Sequence, residues 1–212
     1  MSVFSNLAGT QPSRYDLAYY SGEHIAYPEG YTLETRRVKY SDVVENIVHY
    51  MRQPWLDAGC GPGYLVHLLR EKNFPAFGCD FSETAVQMAD EFVKPFVRKG
   101  DLRHLPFSDE EFSSSSAFHV LEHLHESDAI SGVRELFRVT KERFYGIIPT
   151  TDGITARDIK IRDQVMNDPT HVTLRPRIWW QELFKRCGWS ENESLEEQFD
   201  RKEYGWVFVF DK

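Results

Sequence analysis

The residues with the clearest chemical meaning form a glycine-rich loop, DAGCGPG at residues 57–63. An apolar run ends at this loop and an amphipathic helical pattern begins after it. Glycines there permit a tight turn with positive φ and a close approach of backbone to a ligand, and a helix N-terminus offers unpaired N–H groups. The spacing is G-x-G-x-G, not the G-x-G-x-x-G that seats a pyrophosphate in dinucleotide-binding folds. A turn without a ligand is the alternative.

A carboxylate supports the ligand interpretation. Asp80 ends the next predicted strand, 21 residues after Gly59. An acidic residue in this place accepts hydrogen bonds from the ribose hydroxyls of a bound nucleoside. The two features together predict a nucleoside site that lacks the pyrophosphate fingerprint.

The best candidate for a general base is His171, within DPTHV at residues 168–172. The ordinary pKa of histidine suits proton transfer near neutrality. Its loop follows the predicted fifth strand, and open α/β sheets bind ligands beyond the carboxyl ends of their strands. A structural histidine that holds its loop by hydrogen bonds is an equally good interpretation.

Three histidines, His119, His123 and His125, surround Glu122 and raise the question of a metal. Their order differs from the H-E-x-x-H zinc motif, and a catalytic zinc needs three well-placed protein ligands. We therefore expect no metal site.

Basic and aromatic residues follow the predicted fifth strand. The basic ones could recognise a phosphate or carboxylate of a substrate, but a solvated surface is the favoured interpretation. They are Arg157, Lys160, Arg162, Arg175 and Arg177. Trp179 and Trp180 begin a predicted helix. We expect at least one of them to pack in the core, and the other is a candidate for the floor of a substrate pocket.

Alternating strand and helix patterns must position these residues. Strands are predicted at 55–58, 76–79, 96–99, 112–120, 144–148 and 204–210. Helices are predicted at 40–51, 64–71, 82–93 with Ser82 as N-cap, 128–139, and 178–187 closed by Gly188. This alternation indicates βαβ units and a mostly parallel sheet. Four serines at 113–116 are unusual in a central strand, because buried parallel strands are apolar on both faces.

Composition limits the function classes. The 212 residues suffice for one domain, predicted at 33–212 after an irregular segment at 1–32. The net charge of −8 argues against a nucleic-acid substrate, which requires a basic face. Cys60, Cys79 and Cys187 indicate neither a disulfide framework nor structural zinc. The absence of a leader pattern or a long apolar run predicts a cytoplasmic protein with no membrane contact.

Several motifs in chain order resemble the class I S-adenosylmethionine-dependent methyltransferases. LDAGCGPG resembles motif I of that family and GCDFSETAV its second motif. GDLRHLPFSDEEF, FHVLEHL and RVTKERFYGIIPT resemble its later motifs, so the match runs from about residue 55 to 150. The resemblance implies an α/β fold with a doubly wound, mostly parallel seven-stranded sheet and an antiparallel last strand. YDLAYY and YPEGY, near the N-terminus, resemble segments that cover the cofactor in bacterial small-molecule and sugar methyltransferases.

The resemblance also implies roles for individual residues. The methionine end of S-adenosylmethionine would be held by Asp57 and by the backbone of Gly59, Cys60 and Gly61. Asp80 would bind the ribose, Phe81 would lie against the adenine, and Asp101 and the Leu102 backbone would bind the adenine edge. His119 would line the methionine side. Tyr19, Tyr20 or Tyr31 would touch the cofactor, with Tyr20 the chosen candidate.

The expected function is methyl transfer from S-adenosylmethionine to an oxygen or nitrogen of a small polar metabolite, such as a sugar or a secondary-metabolite intermediate. The DPTH sequence followed by two tryptophans resembles such enzymes less specifically. Protein or RNA methylation is the alternative within the class. An NAD(P)-dependent oxidoreductase and an inactive cofactor-binding module are the alternatives outside it. A monomer or homodimer is expected.

Overall fold

A computed structural model describes residues 15–21, 30–152, 166–199 and 206–212. A single seven-stranded sheet forms the centre of this part of the chain. Its strands are β1 (Trp55–Ala58), β2 (Ala76–Asp80), β3 (Val97–Lys99), β4 (Phe112–Phe118), β5 (Thr140–Ile147), β6 (Ser190–Glu191) and β7 (Val207–Asp211). The helices are α1 (Leu17–Ser21), α2 (Leu33–Lys39), α3 (Ser41–Glu45), α4 (Tyr64–Glu71), α5 (Glu83–Gln87), α6 (Glu126–Val139), α7 (Arg177–Arg186) and α8 (Glu193–Phe199). Short 3-10 turns cover Ile47–Tyr50, Lys94–Phe96 and Leu121–His123.

The strand order is β3-β2-β1-β4-β5-β7-β6. The first five strands pair in parallel, and β7 pairs antiparallel with both β5 and β6. The order reverses direction at β1 and β4, which places the carboxyl ends of these strands beside a crevice where α/β sheets bind ligands. The predicted α/β architecture with an antiparallel last strand is therefore confirmed.

Apolar side chains cover both faces of the sheet. One cluster packs Trp55, Val66 and Leu69 with Val207 and Val209 of β7. The other packs Leu56 and Phe144 with Val133 and Leu136 of α6. Trp180 of α7 is fully buried in this second cluster, as predicted for one of the two tryptophans. No described helix has the length and apolar character that crossing a bilayer requires.

The buried serine hydroxyls of β4 form hydrogen bonds with polar partners. The Ser114 hydroxyl accepts a hydrogen bond from the Arg52 amide at 2.7 Å, and the Ser115 hydroxyl bonds the hydroxyl of Thr140 at 2.6 Å. Ser114, Ser115 and Ser116 are fully buried. Because each of these hydroxyls is satisfied, β4 runs unbroken through the four serines from Phe112 to Phe118. It ends two residues before the predicted boundary at 120, where His119 takes a positive φ of 55°.

Several predicted boundaries were wrong. The helix predicted at 82–93 ends at Gln87, because the Asp90 carboxylate accepts hydrogen bonds from the Phe92 and Val93 amides and turns the chain. The helix predicted at 40–51 breaks at Asn46 and continues as a 3-10 turn.

Other boundaries moved outward or were missed. The fifth strand starts at Thr140, earlier than predicted, because its exposed charged residues concealed the pattern. β6 and α8 were not predicted from periodicity. The strand predicted at 204–210 runs from Val207, and its first two residues lie outside the described residues. Ser82 is the N-cap of α5, as predicted, and accepts from the Ala85 amide.

Candidate functional site

The glycine loop joins the end of β1 to the start of α4. Gly59, Gly61 and Gly63 all have positive φ, at 78°, 55° and 80°. A Cβ on Gly59 would lie 2.8 Å from Cγ1 of Val120, so any side chain there would collide with the segment after β4. Among the described residues, the nearest atoms to a Cβ on Gly61 would belong to the Tyr20 and Tyr31 side chains, at 3.7 Å and beyond. Gly61 therefore leaves its backbone open toward these tyrosines.

Asp80 links the glycine loop to the end of β2. Its Oδ2 accepts a hydrogen bond from the Gly61 amide at 2.8 Å, and its Oδ1 accepts one from the Ser82 amide at 2.8 Å. The carboxyl is buried, and this burial raises its pKa. A carboxylate has about four acceptor sites, so Asp80 retains capacity for further donors.

Asp57 lies deeper, inside the sheet. The indole N–H of Trp55 donates to the Ser116 hydroxyl at 2.9 Å, and that hydroxyl donates to Oδ1 of Asp57 at 2.9 Å. Burial, together with the nearby charge of Asp80, raises the pKa of Asp57 to about 7. Asp57 is not among the described residues that line the cavity, and its contact with a ligand stays a prediction.

A cavity of about 800 Å³, including the space that opens to solvent, lies at the carboxyl ends of β1, β2 and β4. Concave sites lined mainly by apolar and aromatic side chains with a few polar groups are typical of small-molecule binding. The predicted site residues Tyr20, Gly59, Gly61, Asp80, Phe81, Asp101, Leu102 and His119 all line the cavity, as do Tyr19 and Tyr31. Cys60 does not line it and turns its thiol to the Gly61 carbonyl at 3.4 Å.

The segment that contains α1 covers one side of the cavity. The Ser82 hydroxyl donates to the Tyr15 carbonyl at 2.7 Å. The Tyr15 ring packs edge-on against Phe81 at a centroid distance of 5.2 Å, and Tyr20 packs edge-on against Tyr31 at 5.5 Å. This part of the N-terminal segment is therefore packed onto the residues after β2.

Asp101 has a strong internal partner. Both of its carboxylate oxygens accept from Nε of Arg103, at 2.9 and 3.0 Å. Although burial acts in the opposite direction, these bonds hold the pKa of Asp101 below its usual value. Asp101 is consequently a permanent acceptor at the cavity rim.

Histidines form the opposite wall of the cavity. His119 follows β4, has a positive φ of 55°, and places Nδ1 3.5 Å from Oε1 of Glu122. His123 also lines the cavity, and its Nδ1 bonds the Thr170 carbonyl at 3.1 Å. Burial lowers the pKa values of both rings, that of His123 to about 4. Both imidazoles are therefore neutral near pH 7.

His171 lies behind His123, away from the described lining of the cavity. The two rings pack edge-on with centroids 4.8 Å apart. Ring nitrogens of His123 and His171 and a carboxylate oxygen of Glu122 all lie within 4.8 Å of one another. His125, which the sequence grouped with His119 and His123, is exposed at the N-terminus of α6 and outside this cluster.

Sequence reasoning missed part of the cavity lining. The missed residues are mostly apolar and follow strand ends or the loops beside them, namely Tyr15, Cys79, Gly100, Leu105, Phe118, Val120 and Leu124. For Cys79, Phe118 and Val120 the available signal was a place at the end of β2 or β4, and Gly100 directly follows β3.

Two of the five basic residues that follow the fifth strand are described by the structure, and both form ion pairs. Arg175 binds Glu126 at 2.7 Å and Arg177 binds Glu196 at 2.5 Å. Arg157, Lys160 and Arg162 lie outside the described residues.

Comparisons with known proteins identify similar methyltransferases. Residues 56–147 match a family model described as a methyltransferase domain. The chain is 29% identical over 141 residues to a probable S-adenosylmethionine-dependent methyltransferase of Mycolicibacterium smegmatis, covering 66% of this chain and 53% of that protein. It is 29% identical over 154 residues to the uncharacterized methyltransferase YodH of Bacillus subtilis, covering 68% and 62%. The chain thus spans less than two thirds of the length of either relative.

A solved structure shows the same fold. A SAM-dependent methyltransferase from Archaeoglobus fulgidus superposes with a TM-score of 0.64 at 18% identity, covering 93% of this chain and all of that one.

Proposed function

Because the chain carries a methyltransferase domain of the class I S-adenosylmethionine-dependent family, we propose that it binds S-adenosylmethionine in the cavity and transfers the methyl group to a small polar metabolite. The acceptor atom is an oxygen or a nitrogen. The observation that carries this proposal is the bond between Asp80 and the Gly61 amide at the cavity wall.

The nucleoside end fits the residues after β2 and β3. Asp80 has acceptor capacity left after binding two amides, which suits the two hydroxyls of a ribose. Phe81 offers an aromatic surface for the adenine, while Asp101 and the Leu102 backbone offer polar groups for its edge. These roles are proposals, and they use residues that line one continuous cavity.

The methionine end fits the glycine loop. Gly59 and Gly61 present backbone without a side chain, and Tyr20, Tyr31 and His119 complete the wall. In this proposal Asp57 and Cys60 act indirectly. Asp57 supports the glycine loop from β1, the strand that leads into the loop, and Cys60 contributes its backbone. The segment at 1–32 covers the site through its described residues, and 33–212 forms the domain.

The cofactor supplies a methyl group activated by a positively charged sulfur, so the protein mainly orients the acceptor and excludes water. The neutral rings of His119 and His123 make the histidine wall a suitable place for a polar acceptor. The aromatic lining of the cavity and the charge of −8 favour a small metabolite over a nucleic acid. The role of His171 as general base stays a prediction, since its ring packs against His123 and is not among the described residues that line the cavity.

Two measurements test the proposal. Calorimetry should show binding of S-adenosylhomocysteine and none of NADH, whereas the opposite result would favour an oxidoreductase. Incubation with methyl-labelled cofactor and a fractionated cell extract should place label in the low-mass fraction. Label in protein or RNA would support those alternatives, and cofactor binding without any transfer would indicate an inactive module.

A further inference from the structure

A buried carboxylate beside the cavity has no partner that explains it. Glu122 is fully buried, and neither of its side-chain oxygens has a hydrogen-bond partner in the described part of the chain. The nitrogens around its Oε1 are Nδ1 of His119 at 3.5 Å and Nε2 of His123 at 4.0 Å, both beyond good hydrogen-bond geometry. Leaving a buried acceptor unsatisfied is costly, and a bound cation is one group that would satisfy both oxygens.

The hydrogen bonding of His123 leaves a lone pair on Nε2, the ring nitrogen that lies 4.0 Å from Oε1 of Glu122. Its Nδ1 lies 3.1 Å from the carbonyl oxygen of Thr170. Since a carbonyl only accepts, Nδ1 must carry the proton, and Nε2, on the Glu122 side, must be the unprotonated nitrogen. A histidine that donates one N–H to a carbonyl and offers its other nitrogen is the usual form of a metal ligand.

His171 supplies a third ligand atom from a separate part of the chain. Its ring lies against His123, and the three ligand atoms fall within 4.8 Å of one another. Oδ2 of Asp168 lies 3.9 Å from Nε2 of His171, while Oδ1 is held by the amide and hydroxyl of Thr170. The same loop therefore positions His171 and also provides the carbonyl that orients His123.

We propose that Glu122, His123 and His171 form a binding site for a divalent transition-metal ion of the zinc type. Two imidazoles and one carboxylate are a ligand set of such ions, and catalytic sites keep a further position open. Bonds of about 2.1 Å put tetrahedral ligand atoms roughly 3.4 Å apart, so the side chains need to close by about an ångström.

The site adjoins the cavity because His123 belongs to both. An open coordination position on that side suits water or an oxygen of the methyl acceptor, whose acidity a metal increases. This role rests on the proposed function, whereas metal binding does not. His171 would then be a metal ligand instead of the general base that the sequence predicts.

The test is metal binding by untagged, chelator-treated protein. Calorimetry with Zn²⁺ should give one ion per chain, and bound Co²⁺ should show visible absorption bands of a low-symmetry site. Glu122→Gln and His171→Ala should each weaken Zn²⁺ binding by roughly 100-fold or more. His125→Ala removes a nearby exposed histidine outside the cluster and should bind Zn²⁺ as the wild type does.

A second readout separates this site from a merely structural one. Zn²⁺ should raise the melting temperature of the wild type and of His125→Ala, but not of Glu122→Gln. Wild-type protein that binds no Zn²⁺, or a Glu122→Gln variant that binds it equally well, would overturn the proposal. Affinity for S-adenosylhomocysteine is measured in parallel. A wild-type protein that binds Zn²⁺ but not S-adenosylhomocysteine would contradict the proposed function and leave the metal site supported.

Discussion

Replacement of Asp80 is the most direct test of the cofactor site. The carboxylate joins the glycine loop to the end of β2 through two bonds of 2.8 Å, and in our proposal it also accepts from two ribose hydroxyls. Each hydrogen bond to a charged acceptor contributes about 1.5–3 kcal/mol. Loss of the two ribose bonds in Asp80→Ala should therefore weaken S-adenosylhomocysteine binding by ~10²–10⁴-fold.

The effect of Asp80→Ala on stability should be smaller than its effect on binding. The variant leaves the Gly61 and Ser82 amides without their acceptor, but it also removes a carboxyl whose ionised form is disfavoured by burial. The S-adenosylhomocysteine affinity of Asp80→Asn should lie between those of the wild type and Asp80→Ala. The asparagine amide keeps one acceptor oxygen, but it turns an NH₂ group toward a backbone donor.

The assay is titration calorimetry with S-adenosylhomocysteine, accompanied by thermal unfolding of each variant. Asp109→Ala is the matched control, since that carboxylate is mostly exposed and pairs with Arg138. A folded Asp80→Ala protein that binds as tightly as the control would refute the assignment of Asp80 and remove the main support for a nucleoside site.

Three further variants test neighbouring features. Gly61→Ala should lower S-adenosylhomocysteine affinity at least ~10-fold, because it adds a Cβ beside the cavity tyrosines at φ 55°, where a side chain costs ~1–2 kcal/mol; unchanged calorimetric affinity would contradict this. Ser115→Ala should lower the free energy of unfolding by ~1–3 kcal/mol by orphaning the Thr140 hydroxyl, and adding Thr140→Val should recover much of it in denaturant melts; equal loss in both variants would argue against the pair. Because the Asp57 pKa is raised to about 7, its carboxyl stabilises the fold when protonated, so wild-type stability relative to Asp57→Asn should fall as pH rises from 4 through 7. Parallel melting curves across that range would contradict the raised pKa.

Local patterns in the sequence predicted the fold and most of the cavity. The first strand, the helix after the glycine loop and the N-cap at Ser82 depend on neighbouring residues, and all three are confirmed. The helix that ends at Gln87 could not be predicted, because a single side chain at Asp90 outweighs a continuing helical pattern.

Contacts between distant parts of the chain were beyond sequence reasoning. The sequence placed Glu122 among His119, His123 and His125, yet the fold exchanges His125 for His171 from a separate loop. Likewise, nothing near Ser115 and Ser116 indicates that Thr140 and Asp57 satisfy them. Such partners are determined by strand pairing, which brings together residues that no periodic pattern relates.

The hydroxyls of β4 also act as a check on strand alignment during folding. An apolar central strand can shift along its neighbour and still bury apolar surface, so its alignment depends only on how well the side chains pack. Here β4 meets β1 with Trp55 opposite Ser114 and Asp57 opposite Ser116. A shift by one residue would turn every side chain to the other face of the sheet. The buried hydroxyls of Ser114, Ser115 and Ser116 would then all lose their hydrogen-bond partners. Misaligned sheets are thereby penalised, so the serines help to select the single alignment that places the glycine loop beside its carboxylate.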